Sequence, residues 1–166
     1  MSENPFDLTG KVALITGTSR GLGQYMGRAL AKAGADLVIS SRDVKSLAPF
    51  QEEIEALGRR AFPVALDVRD HESIQQAVSS AHDHYGKIDI LVNNAGCNVR
   101  KPSLDITWDD WNLVLETNLR GSFFVAQAVA KKMIEKNYGR IINIGSVTSV
   151  FGYAGLGPYC ASRGGT

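Results

Sequence analysis

Val12-Ala13-Leu14-Ile15-Thr16-Gly17-Thr18-Ser19-Arg20-Gly21-Leu22-Gly23 is the stretch whose reading decides the fold. Val12 to Ile15 is a short apolar run without alternation, which suits a strand of a parallel sheet covered on both faces. Glycines follow at 17, 21 and 23, and Gln24 to Ala33 then reads as a helix. A strand that turns through glycines into a helix aims free N–H groups and the positive end of a helix dipole at one point, which is a phosphate site. Glycine serves there because a side chain would keep a pyrophosphate away from the backbone. The pattern is T-G-x-x-x-G-x-G, led by Thr16, rather than G-x-G-x-x-G. Taken alone, it is also compatible with an ordinary loop.

The totals fit one domain. A chain of 166 residues can bury a real core, and 44% apolar with 21% charged residues is ordinary for a soluble globular protein. A net charge of +1 gives no electrostatic case for nucleic acid or an acidic membrane surface. No apolar run has transmembrane length, and Met1 to Gly10 lacks the layout of a secretion signal. Cys97 and Cys160 stand far apart with no metal-ligand spacing, so they read as free thiols in a reducing cytoplasm, with no metal expected.

Outward from the glycine loop, strands are expected at Asp36–Ser40, Ala61–Leu66, Ile88–Asn93 and Arg140–Ile144. Helices are expected from Asp43 or Ser46 to Leu57 and over His71–Tyr85, and from Trp108 to Asn137 with a break near Asn118. Gly34, Gly58, Gly86 and Gly139 are expected to close four of the helices. Five strands alternating with helices predict an α/β fold, a doubly wound parallel sheet with helices on both faces. Phe123–Ala130, apolar on nearly every side, is expected to be buried all round, under a later helix or a second subunit. His71, His82 and His84 read as surface residues and Trp108 and Trp111 as packing residues, while Cys160 is a candidate for lining a site beside Tyr159.

Thr16 to Gly23, Asn93-Asn94-Ala95-Gly96, Asn118-Leu119-Arg120-Gly121, Gly145-Ser146 and Tyr159-x-x-x-Arg163 resemble, in order and spacing, the motifs of the short-chain dehydrogenase/reductase family. The resemblance runs over essentially the whole chain and implies a Rossmann-type NAD(P)-binding domain over residues 1–166. It implies that Gly17, Ser19, Arg20, Gly21, Leu22 and Gly23 hold the cofactor pyrophosphate. It places Asp67 and Val68 at the adenine ring, where the plain alternative for Asp67 is a helix cap. Asn94, Ala95 and Gly96 would lie beside the adenine ribose, in what is also a tight turn. Ser146 and Tyr159 resemble the catalytic pair, and Asn118 the asparagine that holds a water. In carbonyl reduction Ser146 would donate a hydrogen bond to the carbonyl oxygen and Tyr159 would deliver the proton.

Two departures stand out. The residue four after the tyrosine is Arg163 where the family has lysine; it keeps a cation on the Tyr159 face of the helix but effectively never gives up its proton. The chain also ends at Thr166, one turn into the helix that Tyr159 opens, so the C-terminal strands of the family's domain are expected to be missing. The expected activity is hydride transfer between the nicotinamide and a ketone or secondary alcohol. The alternative is a non-catalytic nucleotide-binding module or inactive fragment, owing to Arg163 and the missing end. Ser41 and Arg42 at the end of the second strand, with Arg20, favour NADP over NAD, because arginine accommodates a 2′-phosphate. Asn98, Arg100 and Pro102 resemble a loop of gluconate 5-dehydrogenase-like members, while Asn93–Gly96 and Arg140–Val147 equally resemble 3-oxoacyl-carrier-protein reductases. The resemblance therefore implies a small-molecule substrate of sugar-acid or 3-oxoacyl type, and a homo-oligomer at full length.

Overall fold

A computed structural model describes residues 5–166; residues 1–4, the start of the segment read for a leader, lie outside them. Five parallel strands form one sheet in the order β3-β2-β1-β4-β5. They are β1 (Val12–Ile15), β2 (Asp36–Ser41), β3 (Ala61–Ala65), β4 (Ile90–Asn93) and β5 (Arg140–Asn143). The helices are α1 (Leu22–Lys32), α2 (Ala48–Ala56), α3 (His71–Tyr85), α4 (Trp108–Leu115), α5 (Ser122–Glu135) and α6 (Gly157–Gly164). Register runs Val12 against Asp36 on one side of β1 and Ala13 against Ile90 on the other.

Successive residues of a strand face opposite ways, and β1 shows the consequence. Val12 and Leu14 join a core with Ile74 and Val78 of α3 and Val125 and Val129 of α5. Ala13 and Ile15 join a second core with Ala31 of α1 and with Phe50 and Ile54 of α2. The sheet is doubly wound, a Rossmann-type α/β fold. The strand order reverses between β1 and β4, so the loops leaving these two strands part and leave a crevice at their carboxyl ends.

Several local expectations change. Helix α1 begins at Leu22, two residues early, because Gly21 serves as its cap. Asp43 caps a single 3-10 turn, Val44–Leu47, and α2 follows it with Pro49 in its first turn. The cap of α3 is Asp70, which accepts from the N–H groups of Glu72 and Ser73, so Asp67 is not that cap. The long helix does break at Asn118, as one π-helical stretch, Glu116–Gly121, between α4 and α5. It ends where Asn137, not Gly139, takes a positive φ of 52°. A Cβ on Gly139 would run into Met133.

Phe123–Ala130 is not buried all round. Val125, Ala128 and Val129 are buried, but Phe123 is 61% exposed and Gln127 is also exposed. Helix α5 lays one face on the sheet and α3, and its other face meets solvent. Trp108 and Trp111 are likewise exposed rather than packed. His71 and His84 are exposed, whereas His82 is half-buried with an unpartnered Nε2. All four residues of β5 are exposed, although the strand pairs with β4.

Candidate active site

The crevice at the carboxyl ends of the strands is a cavity of about 800 Å³. Buried threonines hold its rim. Thr16 Oγ1 accepts from the N–H groups of Asn94 (3.0 Å) and Ala95 (2.9 Å), which ties the loop after β4 to the loop after β1. Thr18 Oγ1 accepts from Ser40 N–H at 3.0 Å and donates to the Ser40 carbonyl at 3.2 Å, which ties the same loop to β2. Asn94 Nδ2 adds bonds to the carbonyls of Thr16 (2.9 Å) and Gly17 (3.0 Å). Three strand ends thereby become one rigid rim.

The glycines make that rim a cradle. Gly17 and Gly21 have φ of +72° and +64°, where side chains are strained. A Cβ on Gly23 would overlap the Gly17 carbonyl oxygen. No side chain caps α1, and its N-terminus opens beside Gly21 and Leu22, both of which line the cavity. Backbone that no Cβ could share, set at a helix N-terminus, fits a pyrophosphate. The same wall carries Ser19, Arg20, Ser41 and Arg42, then Asp67 and Val68, then Asn94, Ala95 and Gly96. Tyr159 and Arg163 also line the cavity. Of the charged side chains lining it, four are arginines (20, 42, 69 and 163) and one is acidic, Asp67. An anionic ligand is favoured.

Asp67 is held ionised. Burial pushes its carboxyl up, but hydrogen bonds from the side chain and N–H of Arg69, with the charges of Arg69 and Arg42, bring it below the usual carboxylate range. Arg69 reaches it at 3.2 Å. Arg69 belongs to the wall, and nothing in the sequence pattern singled it out; its place four residues past the end of β3 was the only signal. Cys97, Leu113 and Thr117 were missed in the same way, and Cys97, not Cys160, is the cysteine that lines the cavity.

Arg163 is 6% exposed. Its guanidinium lies 5.2 Å from the centre of the Tyr159 ring. Nη1 donates to the Ile144 carbonyl at 2.7 Å, Nη2 lies where a Cβ on Gly96 would stand, and Nε is buried without a partner. Arg163 therefore bridges the ends of β4 and β5 beneath Tyr159. Three of the expected site residues do not line the cavity. Gly23 lies behind the cradle, and Ser146 follows the lining residue Gly145, with its hydroxyl turned to Thr148. Asn118 is fully buried in the π-helical stretch. Its Nδ2 donates to the Cys97 carbonyl (2.9 Å) and Ser162 Oγ (3.0 Å), and its Oδ1 accepts from Cys97 N–H (2.8 Å). Both amide protons are taken.

A family model described as short chain dehydrogenase matches residues 11–166. The chain belongs to the short-chain dehydrogenase family. It is 40% identical over 159 residues to gluconate 5-dehydrogenase of Gluconobacter oxydans (strain 621H), covering 96% of this chain and 62% of that relative. It is likewise 40% identical over 159 residues to the 3-oxoacyl-acyl-carrier-protein reductase FabG of Vibrio cholerae (serotype O1, strain El Tor Inaba N16961), covering 96% of this chain and 64% of the other. Among solved structures, a gluconate 5-dehydrogenase from Burkholderia cenocepacia J2315 in complex with NADP and tartrate superposes with a TM-score of 0.92 at 41% identity. That match covers 96% of this chain and 63% of the other. The short-chain dehydrogenase chain described here thus spans less than two thirds of the length of these relatives.

Proposed function

We propose that this chain carries the cofactor site and catalytic side chains of an NADP-dependent oxidoreductase, acting between a ketone and a secondary alcohol. The observation that carries the proposal is the cradle itself: a glycine loop and an uncapped helix N-terminus on one wall of a cavity that also holds Tyr159 and Arg163. Gly17, Ser19, Gly21 and Leu22 would hold the pyrophosphate, with Gly23 behind them keeping α1 close to the loop. Arg20, Ser41 and Arg42 would take the 2′-phosphate, Asp67 and Val68 the adenine, and Asn94, Ala95 and Gly96 the adjoining ribose. The nicotinamide, when bound, supplies or accepts the hydride. Tyr159 moves the proton at the carbonyl oxygen, and Ser146 donates a hydrogen bond to the same atom. Arg163, lining the cavity with Tyr159, keeps a fixed cation beneath the phenol ring and has no proton to relay. Asn118 keeps the loop after β4 and the helix of Tyr159 together through Cys97 and Ser162.

NADP is preferred for a charge reason. Arginine makes charge-assisted, forked bonds to a phosphate that NAD lacks, and Arg20 and Arg42 both line the cavity. A relative's complex with NADP points the same way. A sugar-acid or 3-oxoacyl substrate is the finer reading, drawn from the relatives' names. Those names are of dehydrogenases and reductases, and they lend no support to a module without catalysis. We also place the protein in the cytoplasm, where its two free thiols stay reduced, and read the exposed Trp108 and Phe123 as a contact between copies. No helix among the described residues is long and apolar enough to cross a membrane.

Fluorescence titration with NADPH and NADH, in the wild type and in Arg42→Ala, tests the cofactor. NADPH should bind at least tenfold tighter in the wild type, and Arg42→Ala should remove most of that preference. Tyr159→Phe should abolish carbonyl reduction while leaving NADPH affinity in place. Equal affinities in both proteins, or near-normal turnover without the phenol, would refute the reading.

A further inference from the structure

Ser146 sits at the start of a tight turn, Val147–Ser149, with its backbone extended at φ −154°. Its Oγ accepts from Thr148 N–H at 3.2 Å and is hydrogen-bonded to the Thr148 hydroxyl at 2.9 Å. The first bond is what any residue at 148 other than proline would supply in such a turn. The second depends on threonine. A serine hydroxyl has two acceptor lone pairs and one proton. With the Thr148 hydroxyl donating, both lone pairs are engaged, and the only hydrogen bond left for Ser146 to make is as a donor.

We infer that Thr148 is a positioning residue that fixes Ser146 as a hydrogen-bond donor to the substrate's carbonyl oxygen. The inference rests on the reading of Ser146 given under the proposed function. A free serine hydroxyl rotates and can present a lone pair to a carbonyl, which repels it. Here a proton turned onto the Thr148 N–H would forfeit that bond, and one turned onto the Thr148 hydroxyl would displace its proton, so with Thr148 donating the proton is directed away from the turn. Acceptance from Thr148 also polarises the Ser146 O–H bond, since hydrogen bonds in a chain strengthen one another. A donor preorganised towards developing negative charge needs no reorientation during the reaction. The turn that carries this pair is itself anchored. Ser149 Oγ accepts from Ser146 N–H at 3.3 Å and donates to the Arg163 carbonyl at 2.8 Å, which links the Ser146 turn to the helix of Tyr159.

The test compares the wild type with Ser146→Ala, Thr148→Val and Thr148→Ser. Valine keeps the shape and the N–H but has no hydroxyl, and serine restores the hydroxyl. Cyclohexanone labelled with 13C at the carbonyl is bound together with NADP+, and the shift of its C=O infrared band reports the donor without turnover. The wild type should shift the band to lower frequency, Ser146→Ala should lose the shift, and Thr148→Val should lose about half of it. Thr148→Ser should recover the wild-type value. Carbonyl reduction should fall about tenfold in Thr148→Val with NADPH affinity unchanged, a fraction of the loss expected when a whole donor is removed. Should Thr148→Val fail to fold, Thr148→Ala removes the same hydroxyl with less bulk. A full shift in the variants lacking the hydroxyl, with none in Ser146→Ala, would overturn the role of Thr148 and leave the proposed function standing. A full shift in Ser146→Ala, or no shifted band in the wild type, would overturn the Ser146 reading and the inference with it.

Discussion

Replacing Gly23 by alanine should damage the cofactor cradle from behind. Gly23 is buried in the first turn of α1. An added Cβ would overlap the Gly17 carbonyl oxygen and stand 2.8 Å from Asn94 Nδ2 and 3.1 Å from the Gly17 carbonyl carbon. Neither neighbour is free to swing aside. Gly17 is backbone at a positive φ, and the Asn94 amide is tied to the Thr16 and Gly17 carbonyls. Relief therefore requires the loop or the helix to shift, an overpacking penalty of about 1–3 kcal/mol. Loosening the two Asn94 bonds adds about 1 kcal/mol each where they are lost. Alanine's helix propensity returns about 1 kcal/mol. The balance is a destabilisation of about 2 kcal/mol, read as a lower midpoint in urea at unchanged slope. NADPH affinity should fall at least tenfold, because the displaced groups form the cradle. Gly164→Ala is the control: its nearest neighbour would lie 3.6 Å away, an ordinary contact, and it should leave the midpoint within error. A Gly23→Ala protein with wild-type midpoint and affinity would refute the close-approach argument.

Two groups outside the cavity lining contribute to how stability varies with pH. Burial, with the nearby Asp36 carboxylate, pushes the Tyr85 phenol up to about 12. The unfolded chain ionises at ~10, so its contribution is present below pH ~10 and is lost as pH rises towards about 12. Unfolding followed against pH should show this alkaline loss in the wild type and not in Tyr85→Phe. At the other limit, the Lys101 side chain, with the N–H and hydroxyl of Thr107, holds the Asp110 carboxyl down at about 2. Its contribution is present above pH ~4 and drains as pH falls towards about 2, so Asp110→Asn should be less stable at neutral pH and flatter across that acid window.

How much of this was legible in the sequence depends on the range of the interaction. Helix α3 begins and ends where expected because Asp70 caps it at one end and Gly86 closes it at the other, and both signals lie beside the helix. The glycine cradle was legible for the same reason, since loop and helix are contiguous. The commitments of Arg163 were not. Spacing placed it on the Tyr159 face, but its partners, Ile144 and Gly96, lie 19 residues away in one case and across the sheet in the other. The exposed face of α5 was misjudged because an apolar run states a preference for burial without supplying the partner that meets it. Arg69 entered the wall only because β3 ends beside the crevice.

The π-helical stretch Glu116–Gly121 shows how one irregularity organises both ends of the cavity. A helix with an inserted residue turns its following side chains to a new face, and such insertions cluster at functional sites. Here Thr117 lines the cavity, Asn118 points into protein, and Gly121 packs backbone against backbone. A Cβ on Gly121 would stand 2.7 Å from the Val68 carbonyl, so the helix can press on the end of β3, where Asp67 and Val68 form the wall. One turn earlier, Asn118 bonds Cys97 after β4 and Ser162 beside Arg163, partners 21 and 44 residues away. The Asp67–Val68 wall and the Tyr159 helix are thus set from a single bend. The bend needs a small residue at 121 and a forked amide at 118, and this is the physical content of Asn118-Leu119-Arg120-Gly121 as a motif.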